Sequence, residues 1–211
     1  MDIELVNKST QFMMDNGQFI LQAHRFADND SDHASRLLRW AELPENARVI
    51  DLGSGTGAVD LCWSIERPDL QFCLVNLSEF QLGVIPKWCD QICCDMEDVP
   101  CPDESFDAAV CLFTIGHGDT REVIREMSRL VRPGGIVFVY SMVGDNKNIS
   151  SLSYEIVDRD YIEMCAKDVG LIHDLYMEPY DRGSWASSNI DGYSDYFGGL
   201  RPAIWRWIKG A

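Results

Sequence analysis

The stretch "ARVIDLGSGTGAVDLCWSI", residues 47 to 65, constrains the fold more than any other. An apolar run stops at Asp51, three glycines follow at alternate positions (Gly53, Gly55, Gly57), and an amphipathic segment begins at once. A strand, a tight turn and a helix in that order form the opening of a parallel β-α unit. Glycines at the turn allow a sharp reversal and bring the backbone close to a ligand. The spacing is G-x-G-x-G rather than the G-x-G-x-x-G of dinucleotide enzymes, and no Lys-Ser/Thr pair makes it a phosphate loop. Asp51 at the mouth repels a pyrophosphate and suits an ammonium group, so the loop leans towards a cationic, amino-acid-bearing nucleoside.

The unit repeats. "LQFCLVNLSEFQLGVIP" reads as strand then helix, and "DQICCDMEDVP" as a short strand with an acidic loop. "SFDAAVCLFTIGHGDTREVIREMSRLV" reads as strand, loop and helix, with Val123, Ile124, Met127, Leu130 and Val131 at helical spacing before Pro133-Gly134-Gly135 stops it. "IVFVYSMV" is a fifth strand, and "DRDYIEMCAKDVGLI" a further helix capped by Asp158 or Asp160 and ended by Gly170. "LIHDLYMEPY" and "PAIWRWIKG" make two last strands, read as an antiparallel hairpin at the sheet edge. The expectation is an α/β fold with a mostly parallel sheet and right-handed crossovers. The long Gly/Ser/Asp loop "DRGSWASSNIDGYSDYFGG" between those strands is of the kind that carries function. Ahead of the first strand, "DHASRLLRWAEL" is an amphipathic helix with Asp32 as its expected cap. Residues 1–45 as a whole read as a helical cap or lid on a single domain whose core spans 46–211.

Composition narrows the partners. A formal net charge of −16 repels nucleic acid and anionic membrane surfaces. No run approaches the roughly 18 apolar residues of a membrane span. The N-terminus lacks a signal-peptide pattern, so a cytoplasmic address is expected. Of eight cysteines, several sit in apolar strand-like runs, and Cys89, Cys93, Cys94 and Cys101 lack paired C-x-x-C knuckles. They read as reduced thiols rather than disulfides or a metal site, and no metal is expected.

"VIDLGSGTG", "VNLSEFQL", "CCDMEDVPCPDESFDAAVCLFTIGHGD" and "IREMSRLVRPGGIVFV" resemble, in order and spacing, the class I S-adenosylmethionine-dependent methyltransferases. The likeness is to the small-molecule branch with the ubiquinone/menaquinone C-methyltransferases, over about residues 33–175. It implies a Rossmann-like, mostly parallel seven-stranded sheet with an antiparallel last strand, S-adenosyl-L-methionine as cofactor, and a small organic substrate. It also implies roles. Gly53, Ser54, Gly55 and Gly57 would wrap the methionine part, with Asp51 facing its amino group. Asn76 would sit at the ribose, with Leu77 beside the adenine and Gln81 in the same cofactor-binding stretch. Asp95 would accept from the adenine amino group, and Met96 would pack on the purine. Leu112 and Phe113 would flank the methionine carbons and the sulfonium.

Asp95 has a second reading, as the cap of the turn "DMEDVP". Asn76 stands where related folds carry an acid. An amide can donate to one ribose hydroxyl and accept from another, so an aspartate there is expected to bind at least as tightly.

His117, in "TIGHGD", is the candidate base for removing a proton from the acceptor. The alternative is an ordinary loop histidine. His24 and His33 are weaker candidates, His33 reading as structural, and His173 reads as solvent-facing. Tyr140, Tyr176 and Tyr180 could reach the site. Phe12, Phe19 and Phe26 in the cap and Trp185, Tyr193, Tyr196 and Phe197 in the late loop suggest an apolar enclosure. The N-x-S-x-x-Q pattern of Asn76, Ser78 and Gln81 resembles some C-methyltransferases and tilts the acceptor towards carbon, with N- or O-methylation close behind. A catalytically silent cofactor-binding subunit, or non-methyl chemistry with the same cofactor, are the rival classes.

Overall fold

A computed structural model describes residues 3–15, 29–84, 87–144, 154–179 and 200–211. In chain order the elements are α1 (Ile3–Asp15), α2 (Asp30–Ala41), β1 (Arg48–Leu52), α3 (Ala58–Glu66), β2 (Gln71–Asn76), α4 (Glu79–Leu82), β3 (Asp90–Cys93), β4 (Phe106–Leu112), α5 (Thr120–Leu130), β5 (Val131–Gly144), α6 (Arg159–Asp168), β6 (Leu171–Met177) and β7 (Leu200–Lys209). The seven strands form one sheet in the order β3-β2-β1-β4-β5-β7-β6. The β2–β3, β1–β2, β1–β4 and β4–β5 pairings are parallel, while β7 runs antiparallel to both β5 and β6. The last two strands do pair as expected, but β7 lies inside the sheet and β6 forms the edge.

Period-2 alternation divides each central strand between two cores. Val49, Leu74, Val110 and Phe138 face one core, which includes Ala34 and Leu37 of α2 and Trp63 of α3. Ile50, Val75, Ala109 and Val137 face the other, with Val123, Ile124, Met127 and Leu130 of α5 and Ile162 of α6. Because both faces are covered, these strands read as near-continuous apolar runs. The Trp63 indole donates to the Ala34 carbonyl at 2.8 Å and locks α3 to α2.

Two boundaries differ from expectation. Asn29, not Asp32, caps α2: its side chain accepts from the Asp32 amide at 2.8 Å. The strand "IVFVYSMV" begins earlier, at Val131, and Pro133-Gly134-Gly135 form an irregularity where Phe106 pairs with Val131 and Ala108 with Ile136.

The sheet order reverses between β1 and β4, so the carboxyl ends of those strands open a crevice of the kind where α/β sheets bind ligands. The segment following β3 borders it and is held from below by one cation. Arg129 of α5 donates to the Val99 carbonyl at 2.9 Å and the Cys101 carbonyl at 2.8 Å, and it pairs with the buried Glu126. Glu126 in turn accepts from the Val99 amide at 2.7 Å.

Removing the arginine leaves a buried carboxylate with too few partners. Loss of one member of a buried pair costs about 3–5 kcal/mol, and the partial exposure of Arg129 reduces this to about 2–3 kcal/mol for Arg129→Ala. Urea unfolding checks it; a loss below about 0.5 kcal/mol would show that the strap does not hold this segment.

Candidate active site

The glycine loop leaves the end of β1 and turns back on β2. The Gly53 and Ser54 amides both donate to the Val75 carbonyl at 2.9 Å. Gly53 and Gly57 have φ of +82° and +75°, a region that side chains avoid. A Cβ on Gly53 would meet the Thr114 hydroxyl at 2.5 Å, and one on Gly57 would meet Leu74 at 2.6 Å. Gly55, φ +58°, faces open space instead. Thr114 is itself fixed, donating to the Leu52 carbonyl at 3.0 Å.

Asn76 ends β2 and is buried. Its amide nitrogen donates to the Gly55 carbonyl and to Gln81 Oε1, both at 2.9 Å, while its oxygen accepts from the Ser78 amide at 2.9 Å. Both donor hydrogens are therefore spent inside the protein. Gln81 passes the chain on, donating to Thr10 of α1 at 2.8 Å, and Ser78 bonds Asn7 at 2.6 Å. The expectation that an aspartate would serve at least as well at position 76 loses its footing: a carboxylate would face two acceptor oxygens. Leu77, next along, is half-buried.

Asp51, at the end of β1, is almost fully buried, and so is Asp60 in the first turn of α3. The two carboxyls lie within hydrogen-bonding reach of each other. Asp51 Oδ1 and both oxygens of Asp60 have no donor. Two carboxylates cannot donate to one another, so the pair is satisfied only by holding a proton. Burial, then the neighbouring charge, holds the Asp51 carboxyl well above its usual range, and burial pushes Asp60 up to about 7. The Ser54 hydroxyl nearby also lacks a partner. An ammonium group supplies the donors that these oxygens lack, so the residues fit an amino-acid-bearing cofactor. Asp60 escaped the sequence reading, yet it lies three residues before the buried Trp63, which puts a charged side chain on the buried face of α3.

The loops after β3 and β4 meet across the crevice. Asp95 is exposed and its Oδ1 accepts from the Glu97 amide at 3.1 Å, so the turn-capping reading holds, with the second oxygen outside that bond. Met96 is buried against Gly118, where a Cβ would lie 2.8 Å from its methyl. Glu97 accepts from the Asp119 amide at 2.7 Å and ties the two loops together.

Beyond β4 the lining turns aromatic. Leu112 is half-buried, and Phe113 is buried with φ +68°, a strained value for a bulky residue. Its amide donates to the Tyr140 carbonyl at 2.7 Å. Phe113 stacks on Tyr154 with centroids 5.4 Å apart, and His117 meets the same tyrosine edge-on at 5.0 Å. Tyr140 contacts Phe113 at 5.7 Å and His33 at 5.5 Å. Tyr154 shares a 2.6 Å hydrogen bond with Ser141, and burial raises both tyrosine hydroxyls, which keeps them neutral. The Glu155 amide donates to the Gly116 carbonyl at 2.7 Å; a Cβ on Gly116 would collide with this strand of chain. Tyr154, Ser141 and the buried His33 thus join the cluster, and sequence gave no signal for the first two.

Other candidates lie elsewhere. His173 is exposed and pairs with Glu163 at 3.0 Å, Tyr176 bonds Glu178, and Phe12 is exposed. Phe19, His24, Phe26, Tyr180, Trp185, Tyr193, Tyr196 and Phe197 lie outside the described residues. The cysteines are not in disulfides, and Cys73, Cys111 and Cys165 are the buried ones. Among the described residues no His/Cys/Asp/Glu group is arranged to hold a metal ion, and no helix is long and apolar enough to cross a membrane.

Residues 50–139 match the protein family described as "Methyltransferase domain". The chain is 26% identical over 191 residues to a ubiquinone biosynthesis O-methyltransferase of Pseudomonas syringae, covering 80% of this chain and 78% of that protein. The enzyme of the same name from Pseudomonas putida is 28% identical over similar shares, 80% and 78%. Among solved structures, geranyl diphosphate C-methyltransferase from Streptomyces coelicolor superposes with a TM-score of 0.76 at 16% identity, over 85% of this chain and 79% of that one. The [4+2]-cyclase SpnF reaches 0.79 at 18% identity, over 98% and 95%. These structures show a shared fold.

The Asn76 amide generates a direct test. Asn76→Asp should lower unfolding stability by about 1–3 kcal/mol, since the Gly55 carbonyl and Gln81 lose their donor. It should also weaken binding of S-adenosylhomocysteine in calorimetry. Unchanged stability with tighter binding would restore the ribose-gripping role.

Proposed function

Because this chain is a class I S-adenosylmethionine-dependent methyltransferase of the small-molecule kind, we propose that it methylates a hydroxyl oxygen of a neutral, largely apolar acceptor, with His117 as the base. The observation that carries this reading is the position of His117, edge-on to Tyr154 in a buried aromatic cluster at the ends of β4 and β5. S-adenosylmethionine, when bound, supplies the electrophilic methyl group on its sulfonium.

The chain's own residues do the rest. Gly53, Ser54, Gly55 and Gly57 shape the bed for the amino-acid end, with Asp51 as its anionic partner. Asp95 and Met96 take the adenine with Leu77, and Leu112 and Phe113 flank the reacting end. Asn76 and Gln81 hold the bed's shape from behind. Phe113, Tyr140 and Tyr154 offer an uncharged surface, and proximity of acceptor and methyl supplies much of the rate. His117 accepts the hydroxyl proton, leaving an oxygen anion as nucleophile. The net charge of −16 disfavours anionic acceptors such as diphosphates.

Oxygen is favoured by the names of the curated relatives, which span four-fifths of the chain. Carbon is the second reading, favoured by the name of the structural neighbour geranyl diphosphate C-methyltransferase. Its sequence argument weakens because Asn76, Ser78 and Gln81 are engaged in internal hydrogen bonds.

Incubation with S-adenosylmethionine and a panel of phenols and apolar alcohols, read by mass spectrometry, should give products one methylene heavier at oxygen. Cofactor binding with no product from any acceptor would favour a silent subunit, and methylation at carbon would select the second reading. His117→Ala should lower turnover about 100-fold or more while the dissociation constant for S-adenosylhomocysteine stays unchanged. Full activity would remove His117 as the base.

A further inference from the structure

Asp60 has no structural employment that explains it. An acidic residue in the first turn of a helix ordinarily turns back onto the free amides there. For Asp60 the only such contact is a bent one to its own amide; neither oxygen has a donor at proper hydrogen-bond geometry, although the side chain is almost fully buried. It faces Asp51, whose Oδ1 is equally without a donor, directly behind the glycine loop. Burying two acids side by side is costly unless a proton or a cation is shared between them. Around them the Asn76 amide, the Gly53 and Ser54 amides and the Thr114 hydroxyl all have partners, whereas the Ser54 hydroxyl, like the acids, has none.

We propose that Asp60 is the second carboxylate of an ammonium receptor whose first is Asp51, and that the pair releases its shared proton when the cofactor's ammonium group docks. The inference rests on the proposed cofactor and goes beyond it by assigning a residue and a proton. In the free protein the two carboxyls hold one proton and a single negative charge. The docked ammonium keeps its own hydrogens and donates to the oxygens, so the shared proton leaves to solvent. The pair then carries two negative charges against one positive. Capture of the cofactor thereby becomes pH-dependent.

The groups that sense the pair set no competing switch. Cys89, ahead of β3, is raised by its own burial and by Asp60, and Cys111 on β4 by burial and by Asp51; both thiols are pushed up to about 12 and stay neutral. No Lys, Arg or His among the described residues contributes to either carboxyl.

The sign for stability follows from linkage. A carboxyl whose folded-state pKa is raised stabilises the fold below its unfolded value, near 4, and that contribution is lost as pH rises towards about 7. Asp60→Asn keeps the shape and can donate to Asp51. It should therefore melt above the wild type at pH 8 by a margin that shrinks towards pH 4, the opposite of losing a structural contact.

The decisive experiment is calorimetric titration of the wild type and Asp60→Asn with S-adenosylhomocysteine at pH 6.5, in two buffers of different ionisation enthalpy. The wild type should release up to one proton and bind more tightly from pH 6 to pH 8. Asp60→Asn should release almost none, bind at least about tenfold more weakly, and show a flat pH profile. Methylthioadenosine, which lacks the ammonium group, should bind both proteins alike. Absence of proton release from the wild type, or equal release and affinity in the variant, would overturn the assignment of Asp60. Failure of the wild type to bind S-adenosylhomocysteine at all would overturn the proposed function instead.

Discussion

The crevice depends on one side-chain amide. The Gly55 carbonyl sits in a half-buried loop with no ladder to satisfy it, and a carbonyl drawn out of water without a donor is costly. Asn76 supplies that donor from the end of the neighbouring strand. The same nitrogen holds Gln81, and Gln81 holds Thr10 of the N-terminal helix. A single hydrogen-bonded line therefore runs from the glycine loop, across the end of β2, to α1. A carboxylate at position 76 would break this line at its centre, which gives a physical reason for the neutral residue in this chain.

The carboxyl edge of the sheet is divided in two by chemistry. Behind the glycine loop lie acidic oxygens without donors. Past the end of β4 lie aromatic rings packed on one another and on a histidine, with the tyrosine hydroxyls kept neutral by burial. A ligand cationic at one end and presenting its reactive group to an apolar neighbour matches both halves. The overall charge of −16 adds a long-range attraction for a cation and discourages anionic competitors.

Much of this was legible in the sequence because it rests on local rules. The strand–glycine–helix opening, the helical spacing of Val123, Ile124, Met127 and Leu130, and the cap at Asp158 all follow from neighbours in the chain. What escaped rests on contacts between distant segments. Asn76 was visible as an anomaly, but its partner at Gly55 lies 21 residues away and its consequence at Thr10 further still. Asp60 went unmarked, since only burial separates it from an ordinary first-turn acid. Tyr154 gains its place from packing across Gly116, and His33 from facing Tyr140, neither of which has a sequence period. The position of β7 inside the sheet is likewise a matter of pairing rather than pattern.

The central claim is that the crevice between β1 and β4 holds an amino-acid-bearing nucleoside, ammonium end against the buried acids. A crystal structure of the protein with S-adenosylhomocysteine tests it most directly. The account predicts the ammonium nitrogen within about 3 Å of the Asp51 carboxylate and the adenine edge against Asp95 and Met96. A ligand bound outside this crevice, or one with its adenine over the glycine loop, would contradict it.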